Sequence, residues 1–108
     1  MEEQTKKIKL SAEELLNRYA QGERDFRNVN LSGENLRLTN LSHADLRGAD
    51  LRNADLSLAN ISNTNLAGAD LRGADLRGAN LEDTYFDGAN LNDAKISIGT
   101  MSFKILEI

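Results

Sequence analysis

Ala69-Asp70-Leu71-Arg72-Gly73-Ala74-Asp75-Leu76-Arg77-Gly78-Ala79-Asn80-Leu81 is a five-residue unit repeated in phase. Outward from it in both directions, every fifth residue from Phe26 to Ile96 is Leu, Ile or Phe, fifteen positions without a miss. Two residues before most of them stands Ala: Ala44, Ala49, Ala54, Ala59, Ala69, Ala74, Ala79, Ala89 and Ala94. On an α-helix a five-residue step advances about 140°, so the leucines would wind around the cylinder and make no apolar stripe. On a continuous strand the odd step throws successive leucines to opposite faces. The chain must turn within each repeat to aim all of them at one core, which is the signature of a solenoid.

The pattern A-D/N-L-x-x resembles that of the pentapeptide repeat family, over about residues 24 to 98. The resemblance implies an all-β solenoid, a right-handed quadrilateral β-helix with four five-residue sides per coil. The central Leu or Phe and the small residue two before it point inward; the other three positions point out. Fifteen repeats then make just under four coils. Residues twenty apart stack on one wall: Phe26, Leu46, Leu66 and Phe86 on the first, Leu31, Leu51, Leu71 and Leu91 on the second. Leu36, Leu56, Leu76 and Ile96 lie on the third, and Leu41, Ile61 and Leu81 on the fourth. The family's distribution makes a cyanobacterial origin its natural implication.

Three parts are expected: residues 1–23 as an N-terminal tail and capping helix, 24–98 as the β-helix, and 99–108 as an apolar C-terminal tail. Residues 1–10 are polar and lysine-bearing, with fraying expected at the start. Ser11-Ala12-Glu13-Glu14 reads as a capping box, with Leu15, Leu16 and Tyr19 on one face after it and Gly22 as a left-handed stop. A short α-helix over 12–20 is therefore predicted, docked as a lid on the N-terminal end of the solenoid. Arg24 and Glu34 occupy inward small positions under it and need partners: each other, Arg18, or the helix backbone. Thr64 and Thr84 are inward hydroxyls that backbone carbonyls can satisfy.

Length and composition restrict the function. The chain has 108 residues, a net charge of −4 and no cysteine, so thiol chemistry, disulfides and zinc–thiolate sites are excluded. The acidic balance speaks against direct nucleic-acid binding. No apolar run is long enough for a membrane span and no signal peptide is visible, so a cytoplasmic location is expected. Asp45-Leu46-Arg47, Asp50-Leu51-Arg52, Asp70-Leu71-Arg72 and Asp75-Leu76-Arg77 read as self-neutralising surface pairs. Glu82, Asp83, Asp87 and Asp93 radiate from different sides and do not converge as calcium requires. His43 is the sole histidine, on an outward position without a second titrating group. The recurrent glycines sit at corners where the turn calls for positive φ. Asn40, Asn60 and Asn80 stack as a prospective hydrogen-bonded ladder. No catalytic, cofactor or metal site is expected.

Two features point instead to a protein contact. Leu38, Leu58 and Ile98 occupy outward positions of one wall, in a column completed by Gly78. Beyond them, Met101, Phe103, Ile105, Leu106 and Ile108 make an apolar tail, while Lys104 falls on an inward position and stops the regular coil. The expectation is a non-catalytic structural or interaction module with a protein partner, and a possible homodimer through the C-terminal end, as relatives in the family commonly form. The alternative, also from the resemblance, is a DNA mimic that binds a nucleic-acid enzyme such as DNA gyrase.

Overall fold

Each repeat closes its own corner. The N–H three residues after the central Leu donates back to that residue's carbonyl, as from Ala49 to Leu46 at 3.0 Å and from Ala74 to Leu71 at 3.0 Å. Every fifth residue from Asn28 to Asp93, the one just before the inward small position, has a positive φ. This combination is that of a type II turn, and it redirects the chain once per repeat. The computed structural model describes residues 7–97.

Between corners, one residue per repeat bridges in parallel to the residue twenty positions on: Asp25 to Asp45, Asp50 to Asp70, Asn60 to Asn80 and Asp75 to Lys95 among them. Leu51 N donates to Asp70 O at 2.7 Å, and Asp70 N donates to Ala49 O at 2.9 Å. One turn of the solenoid is therefore twenty residues, or four repeats. The central residues from Phe26 to Phe86 are buried, as are Ala44, Ala49, Ala54, Ala59, Ala69, Ala74 and Ala79. Leu91 and Ile96 are half-buried. Thr64 and Thr84 lie fully inside, and their hydroxyls donate to Leu41 O at 2.9 Å and Ile61 O at 2.6 Å. Both borrow a carbonyl from the preceding coil, so neither is an unsatisfied buried group.

The first element, β1 (Ile8–Lys9), pairs in parallel with β2 (Val29–Asn30), and Leu10 follows it into the core at 1% exposure. Sequence analysis took this stretch as polar tail. The lysines conceal a local signal: Leu10 stands immediately before the N-cap Ser11, and Leu15 is four residues past it. That is the spacing of a hydrophobic staple, and both leucines are buried in one cluster.

The helix α1 spans Ala12–Ala20 with the full capping box: Glu14 N donates to Ser11 Oγ at 3.1 Å and Ser11 N to Glu14 Oε1 at 2.9 Å. At the other end, Gly22 N donates to Tyr19 O and Glu23 N to Arg18 O, a Schellman closure made possible by the +100° φ of Gly22. Leu15 is buried, and Ala12, Leu16 and Tyr19 pack partly against the core.

Arg24 and Glu34 are answered by the helix backbone, not by each other. Glu34 Oε1 accepts from Ala12 N at 2.8 Å, at the helix N-terminus. Arg24 Nη1 donates to Tyr19 O at 2.9 Å near the C-terminus, and its guanidinium lies 3.6 Å from the centre of the Tyr19 ring. A carboxylate at the positive end and a guanidinium at the negative end each complement the helix dipole, by about 0.3–1 kcal/mol apiece. Arg18 pairs instead with Glu23 at 3.9 Å. Tyr19 Oη donates to Ser42 O at 2.7 Å, tying the helix to the fourth wall.

Candidate interaction surface

Three of each five side chains face out, and local hydrogen bonding decides what they present. Except at Tyr85 and Lys95, the residue before the central one is Asp or Asn, and its Oδ1 accepts the N–H two residues on. When the residue that supplies this N–H is Arg, the guanidinium folds back onto the same carboxylate. Arg47, Arg52, Arg72 and Arg77 each grip their aspartate with two bonds of 2.6–2.9 Å. Arg27 does the same with Asp25, a fifth pair hidden from a search for Asp-Leu-Arg because Phe26 sits between them. Arg27 and Arg52 also reach across to the next coil's Asp45 and Asp70 at 3.9 Å. The guanidinium bonds hold these carboxyls below their ordinary range, Asp25 and Asp75 to about 2.

Asn40, Asn60 and Asn80 form their hydrogen-bonded ladder through the backbone, bridging in parallel one to the next, and not through their side chains. Their Oδ1 atoms are taken up within their own repeats, by Ser42, Ser62 and Glu82 amides at 3.0–3.1 Å. Two residues is the shorter reach, and the local partner wins. His43 sits exposed at a corner with φ +67°. Among the described residues no group of three or more His, Cys, Asp or Glu side chains is placed to hold a metal ion, and no helix is long and apolar enough to cross a membrane.

The third wall departs from this pattern. Arg37 has Asn35, not Asp, two residues before it, so its Nη1 crosses to the next coil and donates to Ser57 Oγ at 3.2 Å. Among the described residues no carboxylate lies within ion-pair distance of it, although its charge helps to lower the pKa of Asp55 across the Ser57 hydroxyl. Asp55 has Ser57 where the other aspartates have Arg; it accepts the Ser57 hydroxyl at 2.6 Å and amide at 3.0 Å. Those bonds lower its pKa, the hydroxyl most. The missing arginine leaves a groove of about 480 Å³, lined by Arg37, Asp55, Ser57, Leu58, Arg77 and Gly78 among others.

Beside the groove stand Leu38 and Leu58, 68% and 46% exposed. Both have left-handed backbone, φ +67° and +59°, a conformation that is a genuine outlier for a bulky side chain. Their difference in exposure follows from what stands above each. Leu58 leans over the bare Cα of Gly78, where a Cβ would lie 2.5 Å from Leu58 Cδ2. Leu38 has Leu58 above it and stays out. The structure thus brings Leu38, Leu58, Arg37 and the groove together. Ile98, Met101, Phe103, Ile105, Leu106 and Ile108 lie outside the described residues. The unusual φ of the two leucines was missed in the sequence, although their five-residue phase with the corner glycines carried the signal.

Comparison with known proteins agrees with this geometry. The pentapeptide repeat model matches residues 25–57 and 54–93, with eight copies. No curated protein matches the chain. Among solved structures, it is similar to HetL of the cyanobacterium Nostoc sp. strain PCC 7120, a pentapeptide repeat protein involved in heterocyst differentiation regulation. Identity is 38% and the TM-score 0.80, over 82% of this chain and 37% of HetL, so the chain spans little more than a third of that protein. The pentapeptide repeat protein alr5209 of Nostoc PCC 7120 is 33% identical over 93% of both chains, with a TM-score of 0.48. Rfr23 of the cyanobacterium Cyanothece 51142 is 34% identical over 68% of this chain and 60% of its own, with a TM-score of 0.46. With its repeats, its twenty-residue turn and the family model matching most of its body, the chain belongs to the pentapeptide repeat family, whose fold is a right-handed β-helix solenoid.

Proposed function

We propose that this protein is a non-catalytic protein-interaction module. In this reading a helical cap closes the N-terminal end of just under four coils, and the rigid solenoid presents its walls to a protein partner. The observation that supports it most is the pair Leu38 and Leu58, exposed and left-handed on the wall that also carries Arg37. Every corner from Asn28 to Asp93 takes a positive φ, so the fold sets the conformation. Leucine standing there twice in one column, where Gly, Asn or Asp would cost less, is better explained by a contact.

Mimicry of duplex DNA, the alternative, calls for rows of uncompensated carboxylates. Here Asp25, Asp45, Asp50, Asp70 and Asp75 are each clasped by an arginine, and no observation favours that reading over docking of an ordinary protein surface. The test is capture: the immobilised full chain, exposed to lysate of its source organism, is expected to retain a defined protein identified by mass spectrometry. Retention of nothing above an unrelated solenoid control overturns the reading.

A further inference from the structure

We infer that the Leu38–Leu58 ridge and Arg37 together dock an amphipathic helical segment of a partner protein, one that carries apolar side chains four residues apart with a carboxylate beside them. The inference rests on the interaction-module reading and narrows it to one wall and one kind of ligand.

Recognition here works through side chains. Leu38 N already donates to Ser57 O at 3.0 Å and Leu58 N to Arg77 O at 2.9 Å, so an added strand would find these amides taken. A helix satisfies its own backbone, and its side chains at i and i+4 stand about 5–6 Å apart. The ridge repeats once per coil, a step of about 4.8 Å, close enough for two leucines to meet two apolar residues on one helical stripe. That is the arrangement of helix-in-groove recognition.

The sign of the partner's charge follows from Arg37. Five other arginines of the described walls are saturated by their own aspartates through paired bonds. Arg37 has one bond, to the Ser57 hydroxyl that in turn donates to Asp55, so its charge reaches that carboxylate but its fork holds none; it lines the groove and is next in sequence to Leu38. A guanidinium in that state accommodates a carboxylate in the same forked geometry that the protein uses elsewhere. Nothing in the fold explains the leucines themselves. Apart from His43, the other corners of the same solenoid hold Gly, Asn or Asp at the same φ, residues that reach it at less cost. Leu38 in particular covers no core.

The test pans a random-peptide display library against the full chain. Enriched peptides are expected to carry apolar residues at helical four-residue spacing with a Glu or Asp among them. Their affinity is expected to fall at least about tenfold, near 1.4 kcal/mol, for the Leu38→Asn/Leu58→Asn double variant and for Arg37→Glu. Replacing the peptide's acid by Lys restores binding to Arg37→Glu. Because Asn adopts the left-handed corner readily, Leu38→Asn melts at the same temperature as the parent or higher, which separates a docking role from a folding one. The inference is overturned by failure to enrich peptides, by basic consensus sequences, by binding that is indifferent to the variants, or by a Leu38→Asn chain that melts lower. Applied to the lysate, the double variant distinguishes the two levels. A partner that it captures as well as the parent does leaves the interaction module standing and refutes the ridge; no capture by the parent refutes the module.

Discussion

The second and third walls share one backbone and differ in much of what faces out. On the second, Asp50–Arg52 and Asp70–Arg72 close into forked pairs, Arg52 bridges to Asp70, and the corners are filled by Gly33, Asn53, Gly73 and Asp93. On the third, one arginine has lost its aspartate, one aspartate has lost its arginine, and two corners carry leucine. Yet the coil-to-coil bonds beneath are alike, Leu31 N to Asp50 O and Leu36 N to Asp55 O both at 2.7 Å. The inward positions hold the solenoid, and the outward ones are free to acquire chemistry. A wall that breaks the saturated pattern is therefore the place to look for function.

Substitutions at the shared interior have the largest expected effect, and the same one on both walls. Ala54→Leu on the third and Ala69→Leu on the second each put a large side chain where exposure is 1%. Overpacking of this kind costs about 1–3 kcal/mol or more, which lowers the melting temperature by roughly 5–20 °C in a chain of this size. Thermal denaturation checks it. A large drop on one wall only would break the idea of a common interior.

A corner substitution sharpens the comparison further. Gly78→Ala on the third wall meets Leu58 Cδ2 as well as the unfavourable φ of +75°, whereas Gly33→Ala on the second meets open space at φ +73°. The second should cost about 1 kcal/mol, the backbone term alone, and the first measurably more. In a Leu58→Ala background the excess at Gly78 should vanish. A double-mutant cycle reads that coupling directly.

The smallest effect is electrostatic. Asp75, gripped first by the Arg77 side chain and also by its amide, titrates at about 2. Its folded pKa lies below the unfolded value of about 3.9. The stability that it contributes is therefore complete above that value and is lost as pH falls through about 2. Carboxyl NMR titration should find Asp75 near 2, and Arg77→Gln should return it toward the ordinary range.

The repeat was legible because a core imposes the same demand every five residues, and no other element tolerates that period. The helix was legible from Ser11, Glu14 and Gly22, whose side chain or missing side chain acts on the nearest backbone. β1 was not, because Ile8 and Lys9 are exposed and their pairing partners, Val29 and Asn30, are twenty-one residues away. The aligned leucines were visible as an anomaly; their backbone conformation was legible only through the glycines in the same five-residue phase, since the corner adopts positive φ whatever residue stands there. The resting place of Arg37 depended on a hydroxyl in the next coil, a contact that sequence distance hides.

Two clocks run along this chain, one of five residues for inside and outside and one of twenty for the compass direction. Inserting five residues between Leu38 and Ser57 would keep the inward positions in phase and still rotate everything after them by a quarter turn. Leu58 would then no longer stand over Leu38, nor Ser57 over Arg37, although each repeat remained well formed. Inserting twenty would restore them to the same wall, one layer higher. The chemistry of each wall is thus written modulo twenty, in a reading frame of its own that the fold does not police.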